Sequence, residues 1–110
     1  MFGRKKKEEE IDLGLAKDRL VMKKMENNDN FAKEIVLSIK EGIPCVINFR
    51  DLPDPDQANK YLFFLEGAVV ALDGKTLRIN EFTYLFARKE DFLDGSLIKW
   101  YNSIPQDSNY

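Results

Sequence analysis

Between Gly42 and Gln57 the sequence GIPCVINFRDLPDPDQ changes its hydrophobic period within a few residues, and this switch constrains the fold more than any other feature. Cys45–Phe49 is apolar except for Asn48, the near-continuous pattern of a strand buried on both faces. Pro44 bounds it upstream. Downstream, Asp54 is placed to accept from the free N–H groups of a helix start, Pro55 has its φ preset for the first helical position, and Gln57 stands three residues after the cap. A buried central strand handed over to a firmly capped helix dictates a layered α/β architecture.

The flanking segments extend this pattern. Leu20–Met25 reads as a first strand, and Asn27–Asn30 supply turn chemistry and a helix cap. Phe31, Ile35, Val36 and Ile39 then recur at helical spacing until Gly42. The helix after Asp54 carries two apolar stripes: Ala58, Tyr61, Leu62, Leu65, Val69 and Leu72 on one side, and Phe63, Phe64, Gly67 and Ala71 on the other. The Asp73-Gly74 pair is also a hairpin signal, which would make Ala68–Leu72 a strand. The unbroken stripe through Gly67 favours the helix. Lys75–Ile79 and Phe82–Ala87 follow as strands about an Asn80-Glu81 turn, with Leu77 and Ile79 facing the core and Thr76, Arg78 and Asn80 facing away. Ser96 is the expected cap of a short C-terminal helix bearing Leu97, Ile98, Trp100, Tyr101 and Ile104. The predicted fold is an α/β (α+β) sandwich in the order βαβαββ, with two main helices on one face of a mixed sheet of four to five strands. Either the other sheet face or the stripe of Phe63, Phe64, Gly67 and Ala71 is then left for self-association, and a glycine inside a helix suits close approach of another backbone.

Function is bounded mostly by exclusion. The chain of 110 residues suits one domain, and 17 basic against 19 acidic residues leave a net charge of -2, without the basic field that drives nonspecific nucleic-acid binding. With no histidine there is no histidine base, histidine-dependent triad or histidine zinc ligand. Cys45 lies in an apolar run and reads as a small buried hydrophobe, which points to a cytoplasmic protein. Asp51, Asp54 and Asp56 are accounted for by turn and cap chemistry around two prolines, so no metal site is read into them. Gly74-Lys75-Thr76 lacks the upstream glycine and the strand-to-helix order of a phosphate loop. The expectation is a protein without catalysis, metal or cofactor. Residues 1–18 read as a flexible charged arm, in which Met1 and Phe2 could insert into a membrane surface while Arg4, Lys5, Lys6 and Lys7 meet anionic lipid. Residues 19–105 form the expected core and 106–110 a polar tail. No run is long and apolar enough to span a bilayer, and no signal-peptide centre is present.

The segment PCVINFRDLPDPDQANKYLFFLEGAVVALDGKTLRINEFTYLF resembles the SepF family of cell-division proteins. CVINF, the acidic loop DLPDPDQ, the helix KYLFFLEGAVVAL, the turn DG, and the strands TLRIN and FTYLF stand in the family's order. The resemblance implies a non-enzymatic adaptor that binds the C-terminal tail of the tubulin-like protein FtsZ, tethers it at the inner membrane face, and acts as a homodimer or polymer. It places Arg78 and Tyr84 in the partner-binding region and associates Gly67 with self-assembly. Two departures stand out: MFGRKKKEEEIDLGLAK replaces the family's amphipathic membrane helix and linker, and Asn80 replaces a turn glycine. The alternative reading is a regulatory α/β module binding a small ligand or a signalling partner in a pocket between helix and sheet.

Overall fold

The computed structural model describes residues 14–105. Four strands and three helices are built from them: β1 (Val21–Lys24), α1 (Asp29–Lys40), β2 (Cys45–Asn48), α2 (Pro55–Ala71), β3 (Lys75–Asn80), β4 (Thr83–Ala87) and α3 (Ser96–Asn102), with short 3-10 turns at Ala16–Arg19 and Lys89–Phe92. The sheet order is β1-β2-β4-β3, with β1 parallel to β2 and the other pairs antiparallel. The expected βαβαββ order and mixed sheet are present, with four strands.

Local chemistry explains where the helices start. Asn28 caps α1 by accepting from the N–H groups of Asn30 and Phe31, and Asp54 caps α2 by accepting from Asp56 N–H at 2.9 Å, with Pro55 next in line. The helix α2 runs through Ala71, so the competing hairpin over Ala68–Leu72 does not form. The Asp-Gly pair instead ends the helix: Asp73 takes φ 55, and Gly74 N–H returns to the Val69 carbonyl at 2.8 Å. At α3 the cap is Gly95 and Ser96 is the first helical residue. The Asp94 side chain accepts from Ser96 N–H, which leaves the Ser96 hydroxyl to accept from Lys17 N–H at 3.0 Å.

Residues paired across strands share a sheet face. Cys45, Ile47 and Phe86 lie on the face covered by α1 and α2, where they join Ala32, Ile35, Ile39, Tyr61, Leu65 and Val69 in the main core. The opposite face is not bare. Leu85 and Ala87 are fully buried, and Ala87 packs with Leu97 of α3 and Ala16 of the first 3-10 turn. Ala16, read from sequence as part of the arm, is thus fixed in the fold, and the sheet face once expected to be free is partly covered. Asp91 locks the same region, accepting from Arg19 at 2.7 Å and from Arg88 at 2.9 Å while its side chain is only 2% exposed. Leu77 and Ile79 also depart from expectation: both are only half-buried, and the register sets Leu77 opposite Leu85 on the α3 side of the sheet, while Thr76 and Arg78, expected to face away from the core, pair with Phe86 and Tyr84 on the side of α1 and α2. The strand β3 is an edge, and a register shift between Arg78 and Asn80 leaves Ile79 without a partner, so strict alternation is broken at a β-bulge.

Candidate functional site

Arg78 and Tyr84 are brought together by strand register, as direct partners on β3 and β4. Phe49 N–H donates to the Phe82 carbonyl at 2.8 Å. By alternation, the main-chain groups of Tyr84 also point toward β2 and not toward β3, so Arg78 and Tyr84 form a non-hydrogen-bonded pair, the kind whose side chains stand closest. Arg78 is exposed, and its Nε donates to the Asn80 carbonyl at 3.1 Å across the bulge. Tyr84 is half-buried: its ring meets Phe49 edge-on at 5.9 Å between centroids and lies 6.3 Å from Phe86. The turn beside them is built by Asn80, whose side-chain oxygen accepts from Phe82 N–H at 2.9 Å. Asn80 does not take a positive φ, so it builds the turn through its side chain and not through the backbone freedom of a glycine.

Tyr84 forms one wall of a groove of about 340 Å³ between the loop after β2, the first turns of α2 and the β3–β4 turn. Phe49, Leu52, Pro53, Ala58 and Leu62 give it apolar walls, while Asn59 and Glu81 add polar edges. The sequence marks Tyr84 but not the groove, because its walls come from four segments that only the tertiary fold joins. Phe82 and Arg50 were also missed. Phe82 lines the groove, and the Arg50 guanidinium lies 4.7 Å from its ring centroid, a cation–aromatic contact on a groove residue. The signal for it, an arginine directly after the buried strand, is too common to single out. Asp51 pairs with Lys24 at 3.5 Å and Asp54 serves as the cap, so these carboxylates have structural partners. Among the described residues no group of three acidic, cysteine or histidine side chains is placed to hold a metal ion. Burial pushes the Cys45 thiol up to about 11, far from the range of a reactive thiolate.

A second surface runs along the outer face of α2. Phe63 is 63% exposed, Phe64 44% and Val70 71%, and Gly67 and Ala71 lie exposed between them. Val70 was not read as part of this stripe. Nothing lies within 4 Å of where a side-chain carbon on Gly67 would stand, so within one chain the position is open. Phe64 also borders a smaller groove of about 230 Å³ between α1 and α2. There the buried Tyr61 hydroxyl donates to Asp29 at 2.8 Å, and Lys60 pairs with the same carboxylate at 3.2 Å. The Tyr61 bond, helped by Lys60, holds the Asp29 carboxyl below its usual range, and burial pushes Tyr61 upward. The membrane-contact candidates Met1, Phe2, Arg4, Lys5, Lys6 and Lys7 lie outside the described residues.

Comparison with known proteins gives this geometry a family. The family model described as "Cell division protein SepF" matches residues 22–89, which span β1 through β4. Similar relatives include a cell division protein SepF of Alkaliphilus oremlandii, 32% identical over 66 residues, covering 60% of this chain and 44% of the relative. Another, from Natranaerobius thermophilus, is 33% identical over 66 residues, covering 60% of this chain and 39% of the relative. A third, from Alkaliphilus metalliredigens, is 32% identical with the same 60% and 44% shares. The match thus spans less than half the length of these relatives. With the family model covering more than half of the chain and all four strands of its sheet, the protein belongs to the SepF family of cell division proteins.

Proposed function

We propose that the chain is a non-enzymatic division adaptor that binds the C-terminal tail of FtsZ through Arg78, Tyr84 and the adjoining groove. The observation that carries this is the pairing of an exposed cation with a half-buried tyrosine beside an apolar groove. Arginine supplies charge-assisted bonds to carboxylate or carbonyl oxygens, and a tyrosine gives a flat apolar anchor with a polar tip. A short peptide with acidic and apolar residues complements that surface.

The same reading makes the outer stripe of α2, with Phe63, Phe64, Gly67 and Ala71, the self-association surface of a homodimer or larger assembly. A contiguous exposed apolar stripe is a contact surface on a folded domain. The N-terminal arm supplies peripheral contact with anionic lipid at the cytoplasmic membrane face through Met1 and Phe2 and the cations Arg4, Lys5, Lys6 and Lys7. No cofactor, metal or nucleic acid takes part.

Capture on an immobilised FtsZ C-terminal peptide tests the adaptor role. The full chain is retained, and a control peptide with its acidic residues neutralised retains less. Equal retention by both peptides, or by neither, contradicts the reading. For the arm, cosedimentation with anionic vesicles exceeds that with neutral vesicles and falls as salt rises; negligible binding to both removes the lipid contact.

A further inference from the structure

The family match ends at residue 89, and α3 lies wholly beyond it. Even so, α3 reaches back to the strand that carries Arg78. The Tyr101 hydroxyl donates to the Arg78 carbonyl oxygen at 2.7 Å. Because Arg78 and Tyr84 form a non-hydrogen-bonded pair, the main-chain groups of Arg78 point away from β4, outward from the sheet edge. On an edge strand such a carbonyl has no ladder partner. Tyr101 provides one.

We infer that Tyr101 is a positioning residue for the partner site: it pins the edge strand at Arg78, beside the bulge, and so fixes the direction in which the guanidinium is presented. Tyr101 is itself held firmly. It stands one helical turn after Leu97, on the same helix face, and Leu97 is fully buried against Ala16 and Ala87. The start of α3 is tied down by Asp94, which accepts from Ala16 N–H at 2.9 Å, and by Ser96, which accepts from Lys17 N–H at 3.0 Å. On the other side of the pinned carbonyl, the Arg78 Nε–Asn80 bond spans Ile79, the residue left unpaired by the bulge. A bulge is where an edge strand gives way most readily, so a hydrogen bond one residue before it governs the local backbone more than the same bond elsewhere on the strand would.

The inference rests on the reading of Arg78 as a partner contact, and two measurements separate the two. The first is a double-mutant cycle on binding of the FtsZ C-terminal peptide. Tyr101→Phe weakens binding about threefold in the otherwise native chain and by less than about 1.5-fold when Arg78 is already alanine. A residue that only stabilises the fold would cost the same in both backgrounds, and that result overturns the inference. The second needs no partner. In Tyr101→Phe the amides of Asn80, Glu81 and Phe82 exchange with solvent several-fold faster while those of β2 are unchanged. Unchanged exchange at all three overturns the pinning. If the native chain does not bind the peptide, the adaptor reading falls and the exchange comparison alone decides whether Tyr101 pins the strand.

Discussion

Gly67 and Gly74 sit seven residues apart, and their surroundings demand opposite things of the side chain. At Gly74 an added Cβ would collide with the Ala87 carbonyl oxygen and lie 2.8 Å from Val69 Cγ1, so the α2–β3 connection can pass only with no side chain there. At Gly67 nothing is within 4 Å, and the residue costs the helix about 1 kcal/mol relative to alanine. Gly74→Ala therefore destabilises the protein by about 1–3 kcal/mol through forced displacement of β4 or Val69. Gly67→Ala leaves the unassociated chain as stable or up to about 1 kcal/mol more stable. Denaturant titration of both variants checks the contrast. A helix glycine with no neighbour in its own chain suits the proposed contact with another copy.

At the level of elements, α2 shows how far the sequence reading reaches. Its cap, its start and its inner stripe are local properties, and Tyr61, Leu65 and Val69 are buried as the spacing predicts. The outer stripe was legible too, except for Val70, which the choice of aromatic and small residues passed over. The bulged edge strand was not legible. Alternation in Lys75–Ile79 assigns Leu77 and Ile79 to the main core, but pairing sets Leu77 opposite Leu85 on the other sheet face, Ile79 falls at the bulge, and a strand bonded on one side only buries neither fully. The C-terminal helix was found but not its place, since its contacts to Ala16 and Arg78 span long stretches of chain. On α2 the consequence is direct: Gly67→Lys puts a charge into the exposed stripe and converts assembled protein to monomer by light scattering, with the far-UV spectrum unchanged. A native chain that is monomeric at micromolar concentration contradicts the assignment.

Across the whole molecule, the two proposed surfaces are separate parts of one scaffold. The groove lies at the start of α2 beside the β3–β4 turn, while the apolar stripe runs along the middle and end of α2 on its outer face. Tyr61, Leu65 and Val69 on the inner face of α2 fix both to the same sheet. Partner binding and self-association are then separable by mutation. The direct measurement is calorimetric titration of the FtsZ C-terminal peptide into the native chain and into Arg78→Glu/Tyr84→Ala, with molar mass and thermal unfolding recorded for each. Truncating a central anchor costs about 2 kcal/mol or more, so affinity falls by more than about tenfold while the assembled mass stays the same and the variant remains folded. Unchanged affinity in a folded double variant would contradict the account and place the partner site elsewhere.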